Sequence, residues 1–418
     1  MTSIRLRLAC VLVVGLAGCQ TPIASTLPSA SASPPASEAP AASATPSPTA
    51  VAAVPVGSLL VLRQRGVEGQ HDLGVSIVFV AGGPPVDLGR ASEATWAHDG
   101  KSVHLVAQDE GCVPSLITMA PDGTGRSVVS KGLESLDFDF AWSPDGRQIT
   151  FIRFHDGPPP KMCGSQGGTY QDIVEDLWVM NADGSGGRVL VPGIPINGLH
   201  SVVWSPDSSS VAFLAPGKPA GPNGTPISVA FVRVSNGRRV ESGSSVVTEG
   251  GTGLAWSPDG SRLAFAFNAA AAAGMNHIAV IGSDPSSDAF TDLIVRDTAG
   301  MNLSVPFWAP DGATIAATQD LVDANGMITG AAVRILDAAT PGAARDLGVT
   351  DVEVFVRPTW SPDGRWIAYV RQSQDENGTR ARAIIAFAVD GSDRHLLEDA
   401  TSGVTSQAIE SIDWQPAP

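Results

Sequence analysis

The chain has 418 residues, among them 45 Gly and 32 Pro, and 42 acidic residues against 26 Lys plus Arg give a formal net charge of −16. With no basic cluster anywhere, nucleic acid and anionic lipid surfaces are poor electrostatic partners. So much Gly and Pro with little helical periodicity points away from helical bundles and toward short strands joined by turns.

Arg5 and Arg7 give the N-terminus a positive start, and Leu8 to Leu16 form an apolar run. That run is too short to span a bilayer but suits the core of a signal peptide. Leu16-Ala17-Gly18-Cys19 then resembles the lipobox of bacterial lipoproteins. The resemblance implies a diacylglycerol on the Cys19 thiol, cleavage just before it, and an extracytoplasmic, envelope-located protein held on the membrane by its N-terminal lipid only. Residues 1–18 are therefore expected to be signal peptide. Residues 19–56 are dominated by Ala, Ser, Pro and Thr, with Glu38 their only charge. Such a segment cannot bury enough apolar surface to fold, and its prolines favour extension, so it is expected to act as a disordered tether reaching up to ~110 Å.

From about residue 57 one pattern dominates. Trp96-Ala-His-Asp-Gly100, Trp142-Ser-Pro-Asp-Gly146, Trp204-Ser-Pro-Asp-Ser208, Trp256-Ser-Pro-Asp-Gly260, Trp308-Ala-Pro-Asp-Gly312 and Trp360-Ser-Pro-Asp-Gly364 follow in turn, and Trp414-Gln-Pro ends the chain. A period near 52 residues signals repeated four-stranded blades. Apolar pairs seven and nine residues after each Trp, such as Val211/Phe213 and Leu263/Phe265, are strand-like alternation. Pro presets φ, Asp bonds the backbone ahead and Gly accepts positive φ, so each Trp closes a strand and the next five residues reverse the chain. A third strand runs into a second tight turn, as at Asn181-Ala-Asp-Gly184 and Asp390-Gly391, and a fourth completes the sheet.

These residues resemble the TolB-type propeller repeat, a relative of the Trp-Asp (WD40-like) repeat, over nearly all of 57–418. The resemblance implies an all-β fold. Residues before Trp96 make three strands lacking a first, and Ile409–Trp414 makes a first strand lacking the rest. Joined, they form a seventh blade and remove open edges. The expectation is a seven-bladed β-propeller, with six or eight blades as alternatives, closed by the C-terminal first strand.

Short turns fall on one face, and connections of variable length fall on the other, where function is expected. The longest, from His155 to Glu175, carries Lys161, Cys163 and Tyr170. His155 and His200 are placed at the same face. Cys112 falls in the equivalent connection of the preceding blade, so a Cys112–Cys163 disulfide is expected there. The repeated Asp residues (Asp99, Asp145, Asp207, Asp259, Asp311, Asp363) read as turn formers and the repeated Trp as packing between blades.

The sequence holds no Gly-x-Ser-x-Gly elbow, no HExxH and no His pair at ligand spacing. The hydrolase half found beside related propellers in prolyl oligopeptidase, dipeptidyl peptidase IV and tricorn-type proteins is not seen. The expectation is a non-catalytic module with no metal and no cofactor, monomeric, recognising an envelope protein through its loop-rich face. The alternative is an extracytoplasmic enzyme acting on glycans or peptides within the propeller channel.

Overall fold

The computed structural model divides the chain at residue 51, and the second unit, 52–418, carries the fold. The residues described are 57–64, 73–108, 113–129, 132–134, 137–155, 174–195, 200–216, 225–241, 246–248, 251–267, 277–283, 290–292, 306–323, 327–347, 356–374, 380–399 and 409–417. Their strands make seven antiparallel sheets, six of them paired in chain order from first strand to fourth. We number them blades 1 to 7.

Blade 1 is composite. Ile409–Trp414 pairs with Ser58–Gln64, which pairs with Leu73–Phe79 and then Val86–Arg90. Leu59 stands opposite Trp414 and Leu62 opposite Ser411, so the chain's end supplies the strand its start lacks. Blades 2 to 7 open with Glu93–Trp96, Phe138–Trp142, His200–Trp204, Gly251–Trp256, Phe307–Trp308 and Thr359–Trp360. The seven-blade expectation and its closure therefore hold.

Blade 4 adds a fifth strand. Its third strand, Thr225–Arg233, is nine residues long. Arg238–Glu241 pairs only with its second half, leaving Thr225–Ile227 to pair with Val246–Thr248.

The second strands are more continuously apolar than simple alternation predicts, because both faces of every blade are buried. In blade 1, Leu59 and Val61 pack with Trp366, Val370 and Ile384 of blade 7, while Leu60 and Leu62 pack with Trp96, Val103 and Leu105 of blade 2. Seven such clusters occur, one at each blade-to-blade interface. A chain of this length is thus stabilised by seven small cores in a ring, and each core needs both neighbouring blades.

Candidate functional site: the channel at the turn face

The Trp-Ser-Pro-Asp-Gly turns are locally self-sufficient. In blade 3, Ser143 Oγ donates to Asp145 Oδ1 at 2.6 Å, accepts from the Gln148 amide at 2.9 Å, and Asp145 also accepts from the Arg147 amide at 3.1 Å. The same bonds recur around Asp207, Asp259 and Asp363. Asp99 and Asp311 accept main-chain amides two residues on. Those hydrogen bonds hold the Asp259 carboxyl down at about 2, led by Ser257 and Ser261. The repeated carboxylates are turn formers, as expected.

The indoles clip one blade to the next. Trp204 Nε1 donates to the Ala141 carbonyl at 3.0 Å, Trp256 to Val203 at 3.4 Å, Trp308 to Ala255 at 3.0 Å and Trp360 to Phe307 at 3.1 Å. Trp96 donates to Asp413 at 3.1 Å, which carries the belt across the seam between the two ends of the chain. In each case the acceptor is the residue just before the preceding blade's Trp.

Inside this belt lies a cavity of 1160 Å³, lined by first-strand and turn residues of blades 2 to 5, by Phe307 and Trp308 of blade 6, by Arg357 before blade 7, and by Asp413 and Pro416 at the blade 1 seam. Apart from Asp99 and Asp145 of the repeated turns, its charged side chains were not singled out by motif. Arg357, from the segment entering blade 7, places its guanidinium 4.6 Å from the centre of the Phe307 ring. Asp413, from blade 1, is held above the ordinary carboxylate range by burial, against the opposing charge of Arg357. His104 is pulled down to about 4 by burial, stacks on Trp142 at 4.7 Å and 5°, and shares a 3.0 Å hydrogen bond with Thr118 Oγ1. It is neutral at physiological pH and structural.

Beside the cavity, at the junction of blades 2 and 3, Glu93 reaches across to the Phe140 amide at 3.3 Å. Asp139 there takes positive φ (55°) in a bulge between Phe138 and Ala141. Burial, and then the Asp139 charge, raise the Glu93 carboxyl to about 7. Among the described residues no three His, Cys, Asp or Glu side chains gather at metal-binding geometry.

Of the residues singled out on the loop-rich face, His155 ends the second strand of blade 3 and His200 opens the first strand of blade 4. Both backbones lie at strand ends remote from the Trp turns. Cys19, Cys112, Lys161, Cys163 and Tyr170, and the side chains of the two histidines, lie outside the described residues. Glu93, Arg357 and Asp413 carried one usable signal. They are charged at places one or three residues before the Trp where the other repeats, Asp139 apart, hold uncharged residues (Ala, Val, Phe, Thr, Ser or Gly).

No family model matches the sequence, and no curated protein matches it. Solved structures do match. An acylaminoacyl peptidase from Pyrococcus horikoshii aligns with 82% of this chain at TM-score 0.56 and 13% identity, and the chain spans about half (51%) of that enzyme's length. An oligogalacturonate lyase from Vibrio parahaemolyticus aligns over 78% of this chain and 90% of its own at TM-score 0.52 and 13% identity. TolB from Acinetobacter baumannii also matches, over 85% of this chain and 81% of its own, at TM-score 0.46 and 15% identity. At such identities what is shared is architecture. The chain is a seven-bladed β-propeller.

Proposed function

We propose that the chain is a lipid-anchored, extracytoplasmic recognition module that binds an envelope protein on the face opposite the Trp turns. The observation that carries this reading is an asymmetry between the faces. On the turn face the repeated Asp carboxylates are committed to their own loops and five indoles are clipped to neighbouring carbonyls, so the repeated motif residues there serve as scaffold. On the other face the link between second and third strands is residues 109–113 in blade 2 but 156–173 in blade 3. Variable connections on a rigid ring are where recognition is built. Cys112 and Cys163 lie in those two neighbouring links, and a disulfide between them would pin the longer one. A crosslinking pull-down from envelope extract tests the reading. One protein recovered with the intact chain, and lost when residues 156–173 are replaced by a short linker, supports it. No capture by a demonstrably folded chain refutes it.

A second reading has one observation in its favour. Asp413 is a carboxyl raised by burial and lining the channel, as a general acid would be. Turnover of a glycan or peptide by the intact chain, abolished by Asp413→Asn, would select this reading.

A further inference from the structure

A second cavity, of 710 Å³, lies between blades 4 and 5 on the turn face. Its cause can be read by comparison with the next interface. Six residues after the Trp of blade 5 stands Arg262, whose guanidinium covers Trp308 at 4.8 Å and donates to the Gly312 carbonyl at 2.5 Å. Trp308 is left 5% exposed. The corresponding residue of blade 4 is Ser210, as the matched registers Trp204↔Val211 and Trp256↔Leu263 show. A serine cannot reach across, and Trp256 stays partly exposed on the groove. Blades 2 and 1 have Ser102 and Ser58 at the same place, but His104 stacks on Trp142 beside the first, and the cross-strand neighbour of Ser58 is Phe79, which packs in the cluster that buries Trp96. In blade 4 that neighbour is Arg233.

Its chemistry is mixed. Arg233 and Arg238 face each other across the hairpin of the third and fourth strands, both exposed and without an ion pair among the described residues. Asp207 and Asp259 supply two opposing charges, already spent on their turns. Ser209, Ser210 and Ser283 add hydroxyls that both donate and accept. Two positive and two negative groups leave no charge for a net anion or cation to answer. What remains is an apolar indole surface ringed by donors and acceptors within a volume ordinary for a small-molecule site.

We propose that this groove binds a neutral sugar ring of a glycan, its apolar side against Trp256 and its hydroxyls on Arg233, Arg238 and the serines. A sugar ring has one apolar surface and a rim of hydroxyls able to donate and accept.

Saturation-transfer NMR of the intact chain against chitotriose, cellotriose, maltotriose and a triglucuronate tests this. The expectation is binding of at least one neutral trimer at roughly millimolar Kd, near the weak end of the affinity scale. Ser210→Arg, which installs the side chain that closes the next interface, should weaken that binding at least tenfold with an unchanged melting temperature. Should that variant fail to fold, Arg238→Ala should weaken binding severalfold. No neutral trimer bound, only the triglucuronate bound, or binding indifferent to both substitutions would overturn the proposal.

Discussion

At the scale of single residues, two side chains work against local preference. Glu93 sits where blades 2 and 3 meet, its carboxyl raised from 4.5 to about 7 by burial and by Asp139. The folded chain therefore keeps this proton up to about pH 7, whereas the unfolded chain releases it near 4.5. Stability from this group is full below pH 4.5 and is lost as pH rises through 7, by at most about 3 kcal/mol. Glu93→Gln has no proton to lose. Its melting temperature should match that of the parent near pH 4, exceed it at pH 8, and lose most of the parent's slope between them. Parallel curves for the two proteins would show that Glu93 titrates normally. Ser208 takes φ 60° where all five of the other turns have Gly at positive φ of 65–69°. Left-handed backbone costs a non-glycine residue on the order of 1 kcal/mol, but Ser208 Oγ accepts from the Asp145 amide of the neighbouring blade at 3.1 Å, which contributes about as much. Ser208→Gly should thus be near neutral, while Ser208→Ala, keeping the strain and losing the bond, should destabilise by about 1 kcal/mol. Chemical denaturation of the pair separates strain from hydrogen bonding.

At the scale of the repeat, the Trp is a strand end, a core side chain and a clip to the preceding blade. Trp308→Phe would orphan the Ala255 carbonyl and leave a smaller ring under Arg262, for a loss of about 2 kcal/mol. Trp142→Phe should cost less, since the Trp142 ring is partly exposed and stacks on His104 with no indole hydrogen bond among the described residues. Equal losses in urea unfolding would refute the clip. This contrast also marks what could be read from sequence. The turn was legible because Trp-Ser-Pro-Asp-Gly encodes its own geometry within five residues, through Ser143, Asp145 and Gly146 alone. The blade was legible because each turn is flanked by strand-like pairs. The channel was not, because Arg357, Asp413 and Trp96 share one rim only once distant blades close on each other. Glu93 escaped for a related reason: its partner, the Phe140 amide, belongs to the next repeat. Nor was the groove beside Trp256 visible, since Ser210 is unremarkable until its place is compared with Arg262. The residues chosen on the loop-rich face were chosen by connection length, a signal that locates a surface but not the side chains that act on it.

At the scale of the whole molecule, seven interface cores are stable only if the ring closes, and closure rests on the last few residues. Ile409–Trp414 covers the edge of Ser58–Gln64, which would otherwise be an open strand. Beyond it, the Gln415 amide donates to the Ser58 carbonyl at 2.9 Å, and Gln415 Nε2 donates to the Gly100 carbonyl at 2.8 Å. Pro416 takes the place against Gly100 that Pro206, Pro258 and Pro310 take against Gly260, Gly312 and Gly364. The seam is tighter than those neighbours. A Cβ on Gly100 would lie 2.6 Å from the Pro416 carbonyl oxygen, whereas one on Gly146 would meet nothing within 4 Å. Both glycines have left-handed φ, 65° and 69°, so Ala at either pays the same backbone strain of about 1 kcal/mol. Only Gly100→Ala must also push the C-terminal segment away, adding about 1–3 kcal/mol typical of overpacking and loosening the Trp96 bond to Asp413. The denaturation midpoint of Gly100→Ala should therefore fall clearly below that of Gly146→Ala. Removing residues 415–418 should abolish the difference, because the clash then has no partner and the two changes are coupled. If Gly100→Ala and Gly146→Ala unfold together in the full chain, the C-terminal segment does not hold the ring shut, and closure rests on the Ile409–Trp414 strand by itself.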